Sequence, residues 1–264
     1  MTCSRLQLIC FSPTRTTRKV LSAIAEGVGA EETRMIDVTR ADDFPVCYGC
    51  DDSDLVIIGA PVYAGRLPIT AVERFAGLRS SGRPAVLVVT YGNRAYEDAL
   101  LELRDLAVEA GFKPVAAAAF VGEHSFSSEE TPVAVGRPDV SDRDAAGKFG
   151  QSIRQLLSAG DPDGLPEIEV PGNRPYKERV ARPPASPVSK DGCELCGACE
   201  RVCPTGAISV GSLVDTDAAQ CILCCACVKV CASGDRIMDV PRVMEVARWL
   251  AETCEERKEP EIFI

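Results

Sequence analysis

Two runs of cysteines near the carboxyl end of the chain share one spacing. The first run reads Cys193-Glu-Leu-Cys196-Gly-Ala-Cys199-Glu-Arg-Val-Cys203-Pro204, and the second reads Cys221-Ile-Leu-Cys224-Cys225-Ala-Cys227-Val-Lys-Val-Cys231. A leucine, an alanine and a valine also occupy equivalent places in both runs. The two runs therefore form an internal repeat, which indicates a small module with two matching halves.

The spacing of each run is typical of iron-sulfur cluster ligands. In the pattern C-x2-C-x2-C-x3-C, three thiolates surround one [4Fe-4S] cube and the fourth cysteine binds the other cube. We interpret Cys225, an extra thiol in the second run, as a packed side chain, and an alternative ligand is the other interpretation. The predicted ligand sets are Cys193, Cys196, Cys199 and Cys231 for one cluster, and Cys203, Cys221, Cys224 and Cys227 for the other.

Clustered cysteines can also bind structural zinc or form disulfides. Structural zinc sites usually pair C-x2-C elements about 15 to 20 residues apart, and they seldom place three cysteines at successive three-residue steps. Disulfides suit small secreted scaffolds, whereas this chain begins without the features of a secretory signal. Both patterns fit the sequence less well than two iron-sulfur clusters.

Length and charge limit the function further. A chain of 264 residues leaves room for a large domain besides the cysteine module, and its formal net charge of -10 argues against nucleic acid as a partner. An acidic surface suits docking to basic patches on redox proteins, although a generally solvated surface explains the charge as well. Since no apolar run approaches the roughly 18 residues of a membrane span, we expect a cytoplasmic protein with no membrane contact.

The amino end carries a second chemical signal. Residues 6–11 are largely apolar, the following Ser12-Pro13-Thr14-Arg15-Thr16-Thr17 is rich in hydroxyl groups, and apolar residues then recur at helical spacing. Backbone N–H groups at a helix start can wrap a phosphate together with short hydroxyl side chains. A helix capped by serine or threonine gives the same pattern, so the loop alone does not decide.

Apolar runs and helical patterns then alternate along the chain. Five strands alternating with helices predict an α/β fold with a doubly wound five-stranded parallel sheet, whose ligands gather at the carboxyl ends of the strands. The strands after the first are predicted at 35–38, 54–60, 85–91 and 113–121, and the later helices at 69–78, 96–110 and 142–157.

Two loops at those carboxyl ends combine tyrosine with glycine, as in a site for a flat ring. With the hydroxyl loop, they make residues 1–159 resemble flavodoxins, which implies FMN as cofactor. Flavodoxins usually carry glycine or asparagine near Arg15, so either the turn tolerates a side chain or the guanidinium joins the phosphate. The resemblance places the phosphate on Ser12, Thr14, Arg15, Thr16 and Thr17, and the ring on Pro61, Val62, Tyr63, Ala64, Gly65, Tyr91, Gly92, Asn93, Arg94 and Tyr96.

The cysteine segment resembles the bacterial two-cluster ferredoxins, which implies a small α+β domain. Together, the two parts resemble the fused flavodoxin-ferredoxin proteins of anaerobic prokaryotes. The predicted layout is 1–159 for the FMN domain, 160–187 for a proline-rich linker, 188–240 for the two-cluster domain and 241–264 for a helix and tail. The apolar end of that tail inserts either against its own chain or against a second copy in a homodimer.

The implied function is electron transfer between two [4Fe-4S] clusters and FMN. One alternative is a flavin-dependent reductase of a small organic substrate, with His124, Tyr96 or Arg94 as proton donor. Another is a regulatory sensor. Cys47 and Cys50 are either packed thiols or a redox dithiol, and His124 is either a proton relay or a hydrogen-bonded loop residue. The sequence names neither the donor nor the acceptor of electrons.

Overall fold

The computed structural model describes residues 3–40, 48–49, 53–159 and 168–264. Cys47, Cys50 and the first part of the predicted linker lie outside the described residues. The strands are β1 (Arg5–Cys10), β2 (Glu32–Asp37), β3 (Tyr48–Gly49), β4 (Leu55–Pro61), β5 (Leu78–Arg79), β6 (Pro84–Tyr91), β7 (Lys113–Val121), β8 (Val188–Ser189), β9 (Ile208–Val210), β10 (Val214–Thr216), β11 (Arg236–Ile237) and β12 (Glu261–Phe263). The helices are α1 (Thr16–Val28), α2 (Ile69–Phe75), α3 (Ala99–Glu109), α4 (Val140–Ala159), α5 (Ala198–Arg201), α6 (Ala226–Lys229) and α7 (Pro241–Thr253).

Strands rich in valine, isoleucine and alanine form the central sheet because both of its faces are covered by helices. Its order is β12-β7-β6-β4-β1-β2, and the last five strands of that order are parallel. The parallel part has the flavodoxin-like order 2-1-3-4-5, whose switch point lies between β1 and β4. The predicted α/β class and its parallel strands are therefore confirmed.

The sheet has one strand more than the predicted five. Strand β12 pairs antiparallel with the edge strand β7, with Phe263 opposite Ala117. Phe263 packs on the main core, so the apolar tail covers an edge that would otherwise leave backbone groups unpaired. Of the two places predicted for the tail, the structure shows the one within its own chain.

Helices α1 and α4 lie together on one face of the sheet, and α2 and α3 lie on the other. A Cβ on Gly27 would lie 2.0 Å from the carbonyl oxygen of Gly147, and one on Gly150 would lie 2.1 Å from that of Ile24. Glycine at these positions lets the backbones of α1 and α4 approach closely. The close packing fixes α1 against α4 on this face of the sheet.

The cysteine segment forms a separate small α+β unit. Strands β8 and β11 make one antiparallel pair and β9 and β10 make another, while α5 and α6 each follow one of the cysteine loops. Helix α7 buries Val243, Ala247 and Leu250, and Leu250 packs on Val133 of the large domain. Trp249 of the same helix is 48% exposed.

The described part of the linker lies along α3. The carboxylate of Asp98 accepts hydrogen bonds from the backbone N–H groups of Asn173 (2.8 Å) and Lys177 (2.7 Å). The side chains of Arg174 and Arg179 pair with acidic residues of α3. The linker is therefore seated on the large domain.

No helix in the described part of the chain has the length and apolar character that a membrane crossing needs.

Candidate cluster and flavin sites

The two cysteine loops have matching backbones, as the internal repeat predicts. Leu195 and Leu223, at equivalent positions, both adopt left-handed conformations, with φ of 52° and 56°. The next equivalent pair, Gly197 and Cys225, also has positive φ (71° and 57°) and directly precedes the short helices α5 and α6. The left-handed pairs bend the chain tightly, so that each loop turns around a small volume.

Four predicted ligands of one cluster surround a single cavity. Cys203, from the first run, lines it together with Cys221, Cys224 and Cys227 from the second run. Burial raises the pKa of the Cys224 thiol to about 12, and the neighbouring thiols of this set act in the same direction. One cysteine of the first run thus lies with three cysteines of the second run, as crossed ligation between the runs requires.

Cys225 also reaches this cavity. Its side chain is 2% exposed, and its Sγ lies 3.7 Å from the carbonyl oxygen of Leu223. Its left-handed backbone stands where the first loop has Gly197, and a non-glycine residue in this conformation costs roughly 1–2 kcal/mol. The burial of Cys225 agrees with the first of its two interpretations, a packed side chain.

The other predicted set lies at the more open end of the module. Cys196 is exposed and Cys193 and Cys231 are half-buried, whereas Cys199 is buried. Burial alone would raise the pKa of Cys231, but hydrogen bonds from Ser233 and from the backbone N–H of Arg236 (3.3 Å to Sγ) lower it. Such N–H···S bonds are the kind that stabilise cluster thiolates.

Within residues 3–40, 48–49, 53–159 and 168–264, no three His, Cys, Asp or Glu side chains converge as one bound ion requires. A cube engages each cysteine at a different iron corner and does not need such convergence.

The predicted phosphate loop lies between β1 and α1. The loop turns at Arg15, whose φ of 63° is left-handed, and the N–H of Arg15 donates to the carbonyl of Ser12 at 3.0 Å. This conformation explains why glycine or asparagine suits the position, and it shows that the turn tolerates an arginine. The Arg15 side chain is exposed, and the residue directly precedes α1.

The hydroxyl groups of this loop have two different roles. Those of Thr14 and Thr16 lie 3.2 Å apart at the half-buried start of α1, beside N–H groups that have no acceptor within the helix. In contrast, the hydroxyl of Thr17 is buried and lies 2.6 Å from that of Thr90 on β6. Thr14 and Thr16 are therefore placed to bind a phosphate, while Thr17 fastens α1 to the sheet.

Tyr63 lies in the first predicted ring loop, after Pro61 and Val62. The backbone N–H of Tyr63 donates to the carbonyl of Arg66 at 2.8 Å, and Ala64 and Gly65 between them both have positive φ. A Cβ on Gly65 would lie 1.9 Å from a carboxylate oxygen of Glu97. Gly65 is thus required by the turn and by its packing against Glu97, whether or not a flavin ring binds beside it.

The second predicted ring loop contacts the carboxyl-terminal tail. The rings of Tyr91 and Tyr96 pack edge to face at 5.4 Å, and the Tyr96 hydroxyl donates to Glu261 at 2.7 Å. The Asn93 amide nitrogen donates to the carbonyls of Cys254 (2.7 Å) and Glu256 (2.8 Å). Its amide oxygen is buried without a protein partner in the described structure, and an N–H at the edge of a bound ring would satisfy it.

His124 lies against the second ring loop. A Cβ on Gly92 would lie 2.2 Å from Cδ2 of His124, so only glycine fits beside the imidazole. The Nδ1 atom accepts a hydrogen bond from the N–H of Phe126 at 3.0 Å. Burial, together with the charges of Lys229 and Arg94, lowers the pKa of His124 to about 4, so the imidazole is neutral at pH 7.

The cysteine module and the large domain meet at Tyr63. Burial raises the pKa of Tyr63, the thiols of Cys224 and Cys225 add to this rise, and a hydrogen bond with Ser125 opposes it. The Lys229 Nζ donates to a carboxylate oxygen of Glu123 at 2.6 Å. Sequence reasoning missed this junction because its partners are distant along the chain and no local pattern marks them.

A comparison with protein families agrees with a cluster-binding module in the cysteine segment. Residues 187–209, which contain the first cysteine run, match the family described as 4Fe-4S binding domain. No curated protein matches the chain. A 4Fe-4S binding segment thus follows a mostly parallel α/β sheet with flavodoxin-like strand order.

Among solved structures, the chain is similar to three flavodoxin-like proteins at low identity. A flavodoxin from the domain Archaea is 11% identical, over 58% of this chain and 99% of that one, with a TM-score of 0.41. A Fusobacterium nucleatum flavodoxin bound to flavin mononucleotide is 13% identical, over 58% and 98%, with a TM-score of 0.40. A flavodoxin, WrbA-like protein from Agrobacterium tumefaciens is 16% identical, over 60% and 99%, with a TM-score of 0.38. The fold assignment rests on the strand order, independently of these likenesses.

Proposed function

We propose that this chain is an electron-transfer iron-sulfur flavoprotein that passes electrons between two [4Fe-4S] clusters and FMN. One observation carries the proposal. The second cysteine run contacts the carboxyl edge of the sheet, because Lys229 donates to Glu123 and to the carbonyl of Ser127. Ile222, which lines the cavity of that run, packs on the core cluster that includes Tyr91 and Tyr96. Iron-sulfur and flavin chemistry at adjoining sites is the arrangement that an internal electron relay needs.

In this proposal, the two crossed cysteine sets named above hold the clusters. The short helices and left-handed residues position the thiolates, and backbone N–H groups such as that of Arg236 stabilise their negative charge. Cys203 and Cys231 are the fourth ligands, each supplied by the other run. This exchange ties the two halves of the repeat into one unit.

The carboxyl edge of the sheet would hold FMN. Thr14, Thr16 and the N–H groups at the start of α1 would bind the phosphate, with Arg15 as a cation beside it. Tyr63 and the loop around Asn93 would bind the ring, since the buried Asn93 oxygen offers an unused acceptor. When bound, FMN supplies exchange between one-electron and two-electron chemistry.

Three parts of the proposal concern the surroundings of the protein. We place it in the cytoplasm, with redox proteins as its donor and acceptor and without nucleic acid or membrane contact. The net charge of -10 supports partners with basic surfaces. We also retain the domain boundaries 1–159, 160–187, 188–240 and 241–264 as part of the proposal.

The alternative of a substrate reductase finds no specific support in the described residues. Its donors are occupied or unsuited, because the Tyr96 hydroxyl donates to Glu261, Arg94 pairs with Glu97 at 2.7 Å and His124 is neutral at pH 7. Electron transfer requires no proton donor of this kind. We therefore favour the carrier function.

Cofactor content tests the proposal. Protein purified without oxygen should contain about eight irons and eight acid-labile sulfides per chain, since each cysteine quartet supports a four-iron cube. It should also retain one FMN per chain after gel filtration. Protein that takes up stoichiometric zinc in place of iron, or that binds no FMN under these conditions, would defeat the proposal.

A further inference from the structure

The repeat allows the surroundings of the two cysteine loops to be compared position by position. Leu195 in the first loop is 39% exposed, whereas its equivalent Leu223 in the second loop is 8% exposed. Cys196 is likewise exposed, whereas its equivalent Cys224 is 8% exposed. The loops have the same backbone, so the difference in burial comes from what covers the second loop.

The large domain covers the second loop at the edge that carries the ring loops. Ile222 packs against the core cluster that includes Tyr91 and Tyr96. The Nζ of Lys229, at the end of α6, donates to Glu123 and to the carbonyl of Ser127 (2.9 Å). Residues 123 and 127 follow β7 and flank His124, so this contact is made at the carboxyl edge of the sheet.

Arg201, the equivalent of Lys229 in the first loop, makes no such contact through its side chain with the part of the large domain that the structure describes. The Arg201 guanidinium donates to the carbonyl of Cys196 at 3.0 Å, within its own loop. The backbone carbonyl of Arg201 accepts a hydrogen bond from Arg40 of the large domain. This contact adjoins Cys203, the one cysteine of the first run that lies with the second set.

We propose that the two cluster sites have different positions in the relay. The site of Cys203, Cys221, Cys224 and Cys227 faces the flavin site and exchanges electrons with it. The site of Cys193, Cys196, Cys199 and Cys231 faces outward and exchanges electrons with an external one-electron redox protein. This inference rests on the proposed function and adds an order to its centres.

The surface at the outward site fits such a partner. The exposed Asp191, Glu194 and Glu200 lie close in sequence to the exposed Leu195 and outnumber the exposed cations of this stretch, Lys190 and Arg201, so a redox protein with a basic rim around an apolar patch is complementary to it. The electrons balance as follows. Each encounter oxidises the donor by one electron, and two encounters with two protons from water reduce one FMN to its dihydro form.

The first test uses the matched ligands Cys203 and Cys231. Cys203→Ser should leave only the outward cluster, and Cys231→Ser should leave only the inward one. In EPR power saturation of the reduced proteins, a soluble dysprosium chelate should relax the cluster of Cys203→Ser more strongly, because that cluster lies nearer solvent. Equal relaxation in both variants, or stronger relaxation in Cys231→Ser, would overturn the order.

A second pair of variants keeps every ligand in place. Lys229→Met removes the contact between the inward loop and the large domain, and Arg201→Met changes the equivalent residue of the outward loop. After rapid reduction of the clusters by a low-potential donor, Lys229→Met should show slower flavin reduction than wild type and Arg201→Met should not. The reverse result, or no loss in Lys229→Met, would contradict the inference.

Failure of this order is distinguishable from failure of the proposed function. A wild-type chain without FMN or without two clusters defeats the proposed function, and the order falls with it. A fully loaded wild-type chain whose Cys203→Ser variant reduces its flavin faster than Cys231→Ser defeats only the order.

Discussion

A buried ion pair joins Arg137, in the loop before α4, to Asp142 in α4. The carboxylate of Asp142 accepts from Nε of Arg137 at 2.8 Å, from the second guanidinium nitrogen, and from the backbone N–H of Asp139 at 2.9 Å. The side chains of Arg137 and Asp142 are 5% and 0% exposed. Arg137 also donates to the carbonyl of Lys258, next to the tail segment that holds Asn93. The pair therefore supports both the tail and the second ring loop.

Asp142→Asn should destabilise the protein strongly. Breaking a buried pair by removing one partner typically costs about 3–5 kcal/mol, because it leaves an uncompensated buried charge. The Lys258 carbonyl still satisfies part of the guanidinium, and the new amide keeps one acceptor oxygen, so we expect about 3 kcal/mol, near the lower bound of that range. Total stabilities are only about 5–15 kcal/mol, so this loss is a large fraction.

Urea unfolding followed by circular dichroism measures this loss as a lower midpoint with an unchanged slope. Asp139→Asn is the matched control, because the Asp139 carboxylate pairs with Arg257 at the surface and asparagine caps a helix as well as aspartate does. The control should lose far less stability. If Asp142→Asn unfolds at the same urea concentration as Asp139→Asn, the buried pair does not have the role assigned to it.

Three further predictions concern the phosphate loop, the histidine and the extra thiol. Replacing Thr14 and Thr16 by valine should weaken the binding of FMN more than the binding of riboflavin, by about 1 kcal/mol for each lost hydrogen bond. In the same fluorescence titrations, Thr17→Val should change the affinities for the two ligands equally. Burial lowers the pKa of His124 from 6.5 to about 4. The stability that the neutral imidazole contributes is therefore complete above pH 6.5 and is lost as the pH falls through about 4. Over this interval, the urea concentration at which half of the protein is unfolded should drop more for wild type than for His124→Gln. Cys225→Ala should keep the full iron content by chemical assay, and a loss of iron would make Cys225 a ligand.

The sheet could be predicted from the sequence because its strands are buried on both faces. Strand β7 was predicted residue for residue, since its apolar run is bounded by clear turns. Strand β2 begins three residues before its predicted start, where its residues are exposed and polar and so carry no apolar signal. The cysteine repeat was readable for a different reason, because ligand spacing leaves a strict local pattern.

Contacts between distant parts of the chain left no such pattern. Strand β12 has only three residues, too few to show a period, and its place depends on the open edge of β7. The hydrogen bonds of Asn93 to the tail and of Lys229 to Glu123 join residues more than 100 positions apart. Thr17 resembles its neighbours in the hydroxyl loop, and only the position of Thr90 reveals its different role.

Electron transfer within one chain is the central claim, and rapid mixing tests it most directly. The protein with both clusters and FMN is mixed with a low-potential one-electron donor, and cluster and flavin absorbance are followed separately at several protein concentrations. Because both sites lie in one chain, the step from clusters to flavin is intramolecular, so its rate should not change with protein concentration. A rate of flavin reduction that rises in proportion to protein concentration would contradict the account.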